Sequence, residues 1–352
     1  MLFKTNALLL LSLLTFNSFA LFAKEPKLIF ALDVVRHGDR TAIHDIPSLP
    51  YKWKEGRGQL TAKGMQQHFE LGSKLRKRYI EELKLLGEVY HPKSVYVRST
   101  DTDRTLMSAQ SLLYGLYPLG SGPKVKNQAI EALPGAFQPI PIHTQALSDK
   151  DVLLVDTHQS KFQEQLHKHV KTHSAWIAKN NALKHNYPRW SKATGLVIND
   201  LYQLISLGNT IFVYQSNHVP VPSTLTSKDI EQIKDAGKWA FCFMFKPEPV
   251  AGAVGAPLLE YIVDHLDKAS TTNNELKFVL LSGHDSSLLA LLSALGVALD
   301  EPPPYASQVN FSVYQQADKK PYVVITYNDK TLTVPACGGS ECEVKQLKTL
   351  VS

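Results

Sequence analysis

The chain has 352 residues, 44% of them hydrophobic and 20% charged, which is the composition of a globular protein with a sizeable core. This length fits one large domain or two of moderate size. The formal net charge is only +6, and the main basic cluster, residues 74–78, is weaker than the aromatic-interleaved stripes that bind nucleic acids. We therefore expect no nucleic-acid partner and a mild attraction for anionic substrates.

Residues 1–23 have the pattern of a signal peptide. Lys4 precedes an apolar run at 7–14, and the small residues Ser18, Ala20 and Ala23 allow cleavage after Ala20 or after Ala23. The run is too short to span a membrane, and no later stretch of about 18 uncharged apolar residues follows it. We expect an exported protein, secreted or periplasmic, without a stable membrane anchor.

A strand buried on both faces is predicted at residues 28–35, where an apolar run is interrupted only by Asp33. The run ends at Arg36-His37-Gly38-Asp39-Arg40. Two arginines beside one histidine repel each other unless an anion lies among them, and a glycine lets backbone approach a ligand closely. Because ligands bind at the carboxyl ends of parallel strands, the sequence indicates an anion site here. The alternative is a solvated basic turn.

The next predicted elements are a helix at 62–86, a strand at 94–98 and a helix at 102–116. Thr61 is the expected cap of the first helix, whose apolar residues recur at three- and four-residue steps. Ser99, Thr100 and Asp101 offer caps for the second helix.

Arg104 falls in the first turn of that second helix, where a cation opposes the helix dipole. One account is a local surface network with Asp101 and Asp103. The other is that Arg104 and the amino end of the helix share one bound anion.

The middle of the chain is proline-rich and irregular at 117–144, and it is dominated by helical periodicity at 160–207 and 227–266. His169 and His173 have the i,i+4 spacing of a zinc-binding pair. No acidic partner lies at a matching spacing, so a solvated helix face is the preferred interpretation.

A further buried strand is predicted at 277–282, and it leads through Gly283 into His284, Asp285 and a helix at 286–295. Charged side chains are seldom placed at such a junction without a function. The same dipeptide at His44-Asp45 lies in a predicted loop, and we do not expect it to act.

Two last strands, at 308–314 and 322–327, have the character of edge strands. The predicted fold is α/β, with a sheet-based core and flanking helices built from both ends of the chain, residues 24–120 and 270–352. A mainly helical cap, residues 121–269 and called the insert below, interrupts this core.

The three cysteines fit an exported protein. Cys337 and Cys342 flank a flexible Gly-Gly-Ser-Glu loop that allows a disulfide in an oxidising compartment. A metal site there would lack a second Cys or His pair. Cys242 lies in an aromatic segment and is expected to be a buried free thiol.

The segment Arg36-His-Gly-Asp-Arg-Thr41 resembles the signature of the histidine acid phosphatases, which include prostatic and lysosomal acid phosphatases and phytases. Further blocks resemble that family in its order: Gly58-Gln-Leu-Thr-Ala-Lys-Gly-Met65, Val97-Arg-Ser-Thr-Asp-Thr-Asp-Arg-Thr-Leu-Met-Ser-Ala109, Gln138-Pro-Ile-Pro-Ile-His-Thr144 and Ser282-Gly-His-Asp285. They span most of the mature chain, and the animal-type acid phosphatases are most similar. The insert, which shapes substrate choice, is the least similar region.

The resemblance implies a role for each polar residue at the strand ends. His37 would be the nucleophile and Asp285 the proton donor. The phosphoryl oxygens would be held by Arg36, Arg40, Arg104 and His284. With this much fixed positive charge, the resemblance implies no metal and no cofactor. Because Asp285 must start protonated and His37 neutral, we expect activity on the acid side of neutrality.

The function expected from this resemblance is that of an exported, metal-independent acid phosphatase with small-molecule phosphate monoesters as substrates. The alternatives are a phytase or sugar-phosphate phosphatase on the same scaffold, a mutase of the wider superfamily, and a phosphate-binding relative without catalysis. By family analogy alone, a homodimer would be unsurprising.

Overall fold

The computed structural model describes residues 25–148, 151–155, 160–271, 274–317 and 320–351. The strands are β1 Lys27–Arg36, β2 Val95–Ser99, β3 Phe278–Gly283, β4 Gln308–Gln315, β5 Tyr322–Tyr327, β6 Lys330–Thr331 and β7 Glu341–Cys342. The α-helices are α1 Ala62–Arg76, α2 Asp103–Leu116, α3 Ser160–Gln165, α4 Ser174–Leu183, α5 Tyr187–Thr194, α6 Leu201–Ser216, α7 Ser227–Phe243, α8 Glu248–Thr271, α9 Asp285–Ala294 and α10 Val344–Lys348. The predicted signal peptide lies outside the described residues and stays a prediction.

The strands form one mixed sheet in the order β2-β3-β1-β4-β5-β6, and β7 pairs with β5. β1 and β2 both run parallel to β3, whereas the other pairs are antiparallel. The register aligns Arg36 with Gly283 and Ser99 with Ser282. The carboxyl ends of the three neighbouring strands β2, β3 and β1 therefore lie side by side. The prediction of an edge position is wrong for β4, because it lies between β1 and β5.

Helices cover both faces of the sheet, which confirms the predicted α/β class. Phe30, Leu32 and Val34 of β1 pack with α8 and α9 on one face. Ala31 and Val35 point to the opposite face, where they pack with α1 and α2. This alternation explains why β1 is an almost continuous apolar run, since both of its faces are removed from water.

The predicted helix at 62–86 is α1 followed by a π-helical stretch, Lys77–Glu82. Its contact with α2 combines apolar side chains, such as Leu75 in the shared core and Phe69 against Tyr114, with a close approach at glycine. A Cβ on Gly72 would lie 1.9 Å from the carbonyl oxygen of Leu112, so only glycine allows the two helices to cross here. Met65 and Phe69, which belong to the apolar pattern of this helix, are 38% and 40% exposed.

A separate hydrophobic core fills the insert and includes buried side chains of α4, α5, α6 and α7, such as Trp190 and Ile211. This core also includes Leu289 of α9, a helix whose other side packs in the core beneath the sheet. Nearly all of helix α8 falls within the predicted insert, yet its residues Leu258 and Ile262 pack in the core beneath the sheet. The predicted domain boundaries, at residues 120 and 270, stay a prediction.

The cysteines are placed as the sequence predicts. A disulfide joins Cys337 and Cys342, and Cys242 is a buried free thiol. Within the described parts of the chain, no helix is both long and apolar enough to cross a membrane.

Asp33, the one acidic residue of β1, is fully buried in a polar cluster. Asn310 Nδ2 donates to its Oδ1 over 2.6 Å, and the Tyr79 hydroxyl donates to its Oδ2 over 3.2 Å. Burial raises the pKa of Asp33 from 3.8 to about 6, although the hydrogen bonds from Asn310 and Tyr79 act in the opposite direction. The folded protein therefore favours the protonated carboxyl more than the unfolded chain does.

We expect Asp33 to make the protein less stable as the pH rises from about 4 to about 6. In this window the folded state holds a proton that the unfolded state has lost, so the free energy of unfolding falls by about 3 kcal/mol in total. Asp33→Asn should remove this slope, as measured by urea unfolding at a series of pH values. Parallel pH profiles for the two proteins would contradict the assignment.

Candidate active site

The loop after β1 is held by neighbours on three sides. The amide of His37 donates to the carbonyl of Gly283 in β3 over 3.0 Å, and the amide of Gly38 donates to Ser108 Oγ of α2 over 3.0 Å. A Cβ on Gly38 would lie 2.4 Å from the carbonyl oxygen of Gly64 in α1. The glycine is therefore needed because α1 crosses this loop closely, and its expected role in the approach of a ligand stays a prediction.

His37 is buried with one ring nitrogen committed to the backbone. Its Nδ1 lies 2.8 Å from the carbonyl oxygen of Gly38, and because a carbonyl can only accept, Nδ1 carries the hydrogen. Nε2 of the neutral ring then keeps its lone pair. Burial, followed by the charges of Arg36, Arg104 and Arg40, holds the pKa of His37 well below 6.5. The neutral form of the ring is therefore favoured further into the acid range than it is in a free imidazole.

Arg36 and Arg40 are both buried beside this ring. Nη2 of Arg36 lies 2.8 Å from Asp285 Oδ2, and its Nη1 donates to the carbonyl of Pro303. Nη2 of Arg40 donates to Asn209 Oδ1 of α6 over 2.9 Å, so the insert contributes to the site. The Nε–H groups of Arg36 and Arg40 are buried without a hydrogen-bond partner in the described residues.

Arg104 lies in the first turn of α2 as predicted, and it points to the same site. Its Nη2 lies 3.2 Å from His284 Nδ1, and its buried Nε–H also lacks a partner among the described residues. No ion pair joins it to Asp101 or Asp103 in that part of the chain. Burial, followed by the charge of Arg40, lowers the pKa of Arg104 to about 10, which still leaves it a cation.

His284 links β3 to this group of cations. A guanidinium can only donate, so Nδ1 accepts from Arg104 and Nε2–H donates to Thr100 Oγ1 over 3.0 Å. Burial, together with the charge of Arg104, lowers the pKa of His284 to about 3, so this ring is neutral as well. Thr100 was expected to cap α2, but the cap residue is Thr102 and Thr100 instead orients His284.

Asp285 is the acid of the site and begins α9. Burial alone would raise its pKa, but the charges of Arg36 and Arg40 outweigh burial and lower the pKa below 3.8. In the absence of substrate Asp285 is therefore a carboxylate paired with Arg36. Its Oδ1 also accepts from the amide of Ser286 over 2.9 Å, which fixes its orientation.

Three arginines and one carboxylate leave two positive charges around a neutral imidazole. Like charges at this spacing destabilise the free protein, and a dianion placed among them would remove that repulsion. The unpartnered Nε–H groups of the three guanidiniums are donors of the kind that pair with phosphate oxygens. The arrangement is therefore suited to bind a phosphoryl group beside a nitrogen nucleophile.

The sequence-predicted residues Arg36, His37, Arg40, Arg104, His284 and Asp285 come together in one site. The sequence does not predict two further residues of the site, Asn209, which contacts Arg40, and Tyr305, whose ring centroid lies 5.9 Å from that of His37. Tyr305 follows three prolines, which indicate a rigid loop, but nothing in the sequence indicates that this loop returns to His37. Asn209 lies on a helix of the insert and carries no sequence signal.

The other histidines considered in the sequence lie elsewhere. Asp45 pairs with Arg57 and takes no part in the site. His173 caps α4 by accepting from the Ala175 amide over 3.2 Å, so it does not share a helix face with His169. Among the described residues, no group of three His, Cys, Asp or Glu side chains is arranged to hold a metal ion.

Comparison with known proteins gives matches over nearly the whole chain. The family model described as Histidine phosphatase superfamily (branch 2) matches residues 27–328. Lysosomal acid phosphatase of Xenopus laevis is 32% identical over 97% of this chain and 80% of that protein. Prostatic acid phosphatase of Bos taurus is 32% identical over 99% of this chain and 90% of that protein.

Solved structures with the same fold are more distant in sequence. A phytase from Klebsiella sp ASR1 has a TM-score of 0.69 at 16% identity, covering 93% of this chain and 96% of that one. A multiple inositol polyphosphate phosphatase from Bifidobacterium longum has a TM-score of 0.61 at 13% identity, covering 95% and 94%. These likenesses show the fold. The family model and the sequence relatives show that the chain belongs to branch 2 of the histidine phosphatase superfamily.

Proposed function

We propose that the protein is an exported, metal-independent acid phosphatase that hydrolyses phosphate monoesters of broad range through a phosphohistidine intermediate. The observation that carries this proposal is the convergence of three arginines on one buried, neutral imidazole. A phosphate monoester is an anion, so attack by another anion is repelled, whereas a neutral nitrogen avoids that repulsion.

In the first step, His37 Nε2 attacks phosphorus from the side opposite the leaving group. A nitrogen–phosphorus bond forms, the bond to the leaving oxygen breaks, and Asp285 gives its proton to that oxygen. In the second step, Asp285 takes a proton from water, whose oxygen attacks phosphorus and releases His37 and inorganic phosphate. The two steps restore both groups to their starting forms.

Arg36, Arg40 and Arg104 hold the phosphoryl oxygens and stabilise the charge that spreads over them during transfer. His284 has both ring nitrogens engaged in the ligand-free site. A bound dianion would raise the pKa of His284, so that Nδ1 can carry a hydrogen and donate to a phosphoryl oxygen once Arg104 donates to the phosphoryl group instead. Until then His284 orients Arg104.

The pH dependence follows from the two shifted pKa values. The pKa of His37 lies well below 6.5, while the free Asp285 loses its proton below pH 4, so kcat/KM should fall as pH rises toward neutrality. A bound dianion offsets the arginine charges and raises the pKa of Asp285. We therefore expect the alkaline limb of kcat at a higher pH than that of kcat/KM.

The measurement is a set of steady-state rates from about pH 3 to about pH 9. Asp285→Asn should lose the limb due to Asp285 and keep the limb due to the second ionisation of the ester, near pH 6. A rate maximum above neutral pH in the unsubstituted protein would contradict the role of Asp285.

Substrate range and metal independence are tested together. A panel of nucleotide, sugar, phytate, phosphotyrosine and lipid phosphates is assayed with and without a chelator. Comparable kcat/KM values for several esters, unchanged by the chelator, are expected. Turnover of phytate alone would favour the phytase alternative, which the fold shared with the Klebsiella enzyme makes the second candidate. Loss of turnover with the chelator would refute metal independence.

Export rests on residues 1–23 and on the disulfide between Cys337 and Cys342, a bond typical of oxidising compartments. Expression of the full chain should release a mature protein whose amino terminus follows Ala20 or Ala23. Amino-terminal sequencing of the released protein checks this. Retention of the full-length chain inside the cell would contradict it.

A further inference from the structure

Tyr305 contributes to the site a group that the mechanism above leaves unused. Its ring centroid lies 5.9 Å from that of His37, and the guanidinium carbon of Arg36 lies over the ring, 4.3 Å from its centroid. Its hydroxyl oxygen is buried and has no hydrogen-bond partner in the described residues. A buried hydroxyl without a partner is destabilising, so such a group calls for an explanation.

The loop that carries this tyrosine is fixed to the end of β1 by three hydrogen bonds. Arg36 Nη1 donates to the carbonyl of Pro303, and the Arg36 amide donates to the carbonyl of Ser307 over 2.9 Å. The amide of Ala306 donates to the carbonyl of His37 over 3.2 Å. The loop is therefore tied to the two residues that begin the phosphate site, and it moves only if they move.

The backbone next to the tyrosine is held in an unfavourable conformation. Ala306 has a φ of +56°, in the left-handed region that residues with a Cβ rarely adopt. Such strain persists where surrounding contacts require it, and it is concentrated at functional sites. On its other side, prolines 302–304 limit the conformations of the loop. Both features keep the Tyr305 ring against Arg36.

The surroundings of the hydroxyl are cationic. Arg36 lies over the ring. Arg104 is also close enough to interact electrostatically with Tyr305. Neither guanidinium can accept a hydrogen bond, so the phenolic hydrogen has no acceptor among these groups. An oxygen of a bound phosphoryl group would be an acceptor and would carry the charge that favours such a bond.

We propose that the hydroxyl of Tyr305 donates a hydrogen bond to a phosphoryl oxygen of the bound monoester or of the product phosphate. Tyr305 is then a catalytic residue that adds a neutral donor to the three guanidiniums. The inference rests on the proposed function, because it requires the phosphoryl group to lie among the arginines.

The test is Tyr305→Phe, which removes the hydroxyl and keeps the ring over Arg36. We expect the affinity for inorganic phosphate, measured by titration calorimetry at acid pH, to fall by about 10- to 100-fold. The kcat/KM for an aryl phosphate should fall by a similar factor. Tyr117→Phe is the matched control, because Tyr117 also has a buried hydroxyl without a partner in the described residues and contacts Tyr90 away from the site. It should change neither value.

Thermal unfolding without phosphate separates a substrate contact from a structural role. Removing an unpartnered hydroxyl should leave the midpoint of Tyr305→Phe unchanged or higher. Unchanged phosphate affinity, or a weaker affinity together with a lower midpoint, would overturn the inference. If the proposed function itself fails, the unsubstituted protein will not hydrolyse esters, whereas failure of the Tyr305 inference is seen in the variant alone.

Discussion

Substitution of His37 by alanine is expected to lower kcat for an aryl phosphate by roughly 10⁴- to 10⁶-fold, the loss typical of removing a nucleophile. The loss is large because the ring is fixed through Gly38, is kept neutral by its surroundings and is the only group placed to form the covalent intermediate in this scheme. Steady-state assays at saturating ester measure it.

The arginines remain in His37→Ala, so the variant should still bind inorganic phosphate. His143→Ala is the control, since His143 stacks on Tyr96 of β2 with ring centroids 4.9 Å apart and lies away from the site. Appreciable turnover by His37→Ala would remove the phosphohistidine mechanism. An unsubstituted protein that binds phosphate without turnover would instead favour the non-catalytic relative.

Asp285→Asn is expected to show a loss that depends on the leaving group. Asparagine keeps the shape of the side chain but cannot supply the proton, so kcat for an alkyl ester should fall by about 10²- to 10⁴-fold. An ester of an acidic phenol needs little protonation in its first step and should lose much less. Comparing kcat for a series of esters with leaving groups of different pKa measures this dependence.

The protein supplies a matched control in its other His-Asp dipeptide. Asp45→Asn changes the same chemical group, but Asp45 pairs with Arg57 and accepts from the Tyr214 hydroxyl over 3.5 Å rather than contributing to the site. It should leave the leaving-group dependence unaltered. Equal losses for alkyl and aryl esters in Asp285→Asn would show that Asp285 is not the proton donor.

The parts of the site at the ends of predicted strands could be found from the sequence. Arg36 and His284 each follow a run of apolar residues, and such runs identify strands whose carboxyl ends meet at one edge of a sheet. Arg104 could be found because a cation in the first turn of a helix opposes the helix dipole. These are local patterns, and the structure brings all three residues together.

Contacts between distant segments could not be found in this way. Asn209 reaches Arg40 from a helix of the insert, and its position depends on how α6 packs. The need for glycine at position 38 depends on how closely the backbone of Gly64 in α1 crosses this loop, which no local pattern shows. The interior position of β4 was missed because an alternating pattern does not say which strands lie beside it.

Direct detection of the covalent intermediate tests the central claim. The protein is mixed with a labelled phosphate monoester, quenched within one turnover into alkaline denaturant, where a phosphorus–nitrogen bond survives, and digested for mass spectrometry. We expect a phosphoryl group on Nε2 of His37, absent from His37→Ala. A turning-over protein that carries no label on His37, or carries it on another residue, would contradict the account.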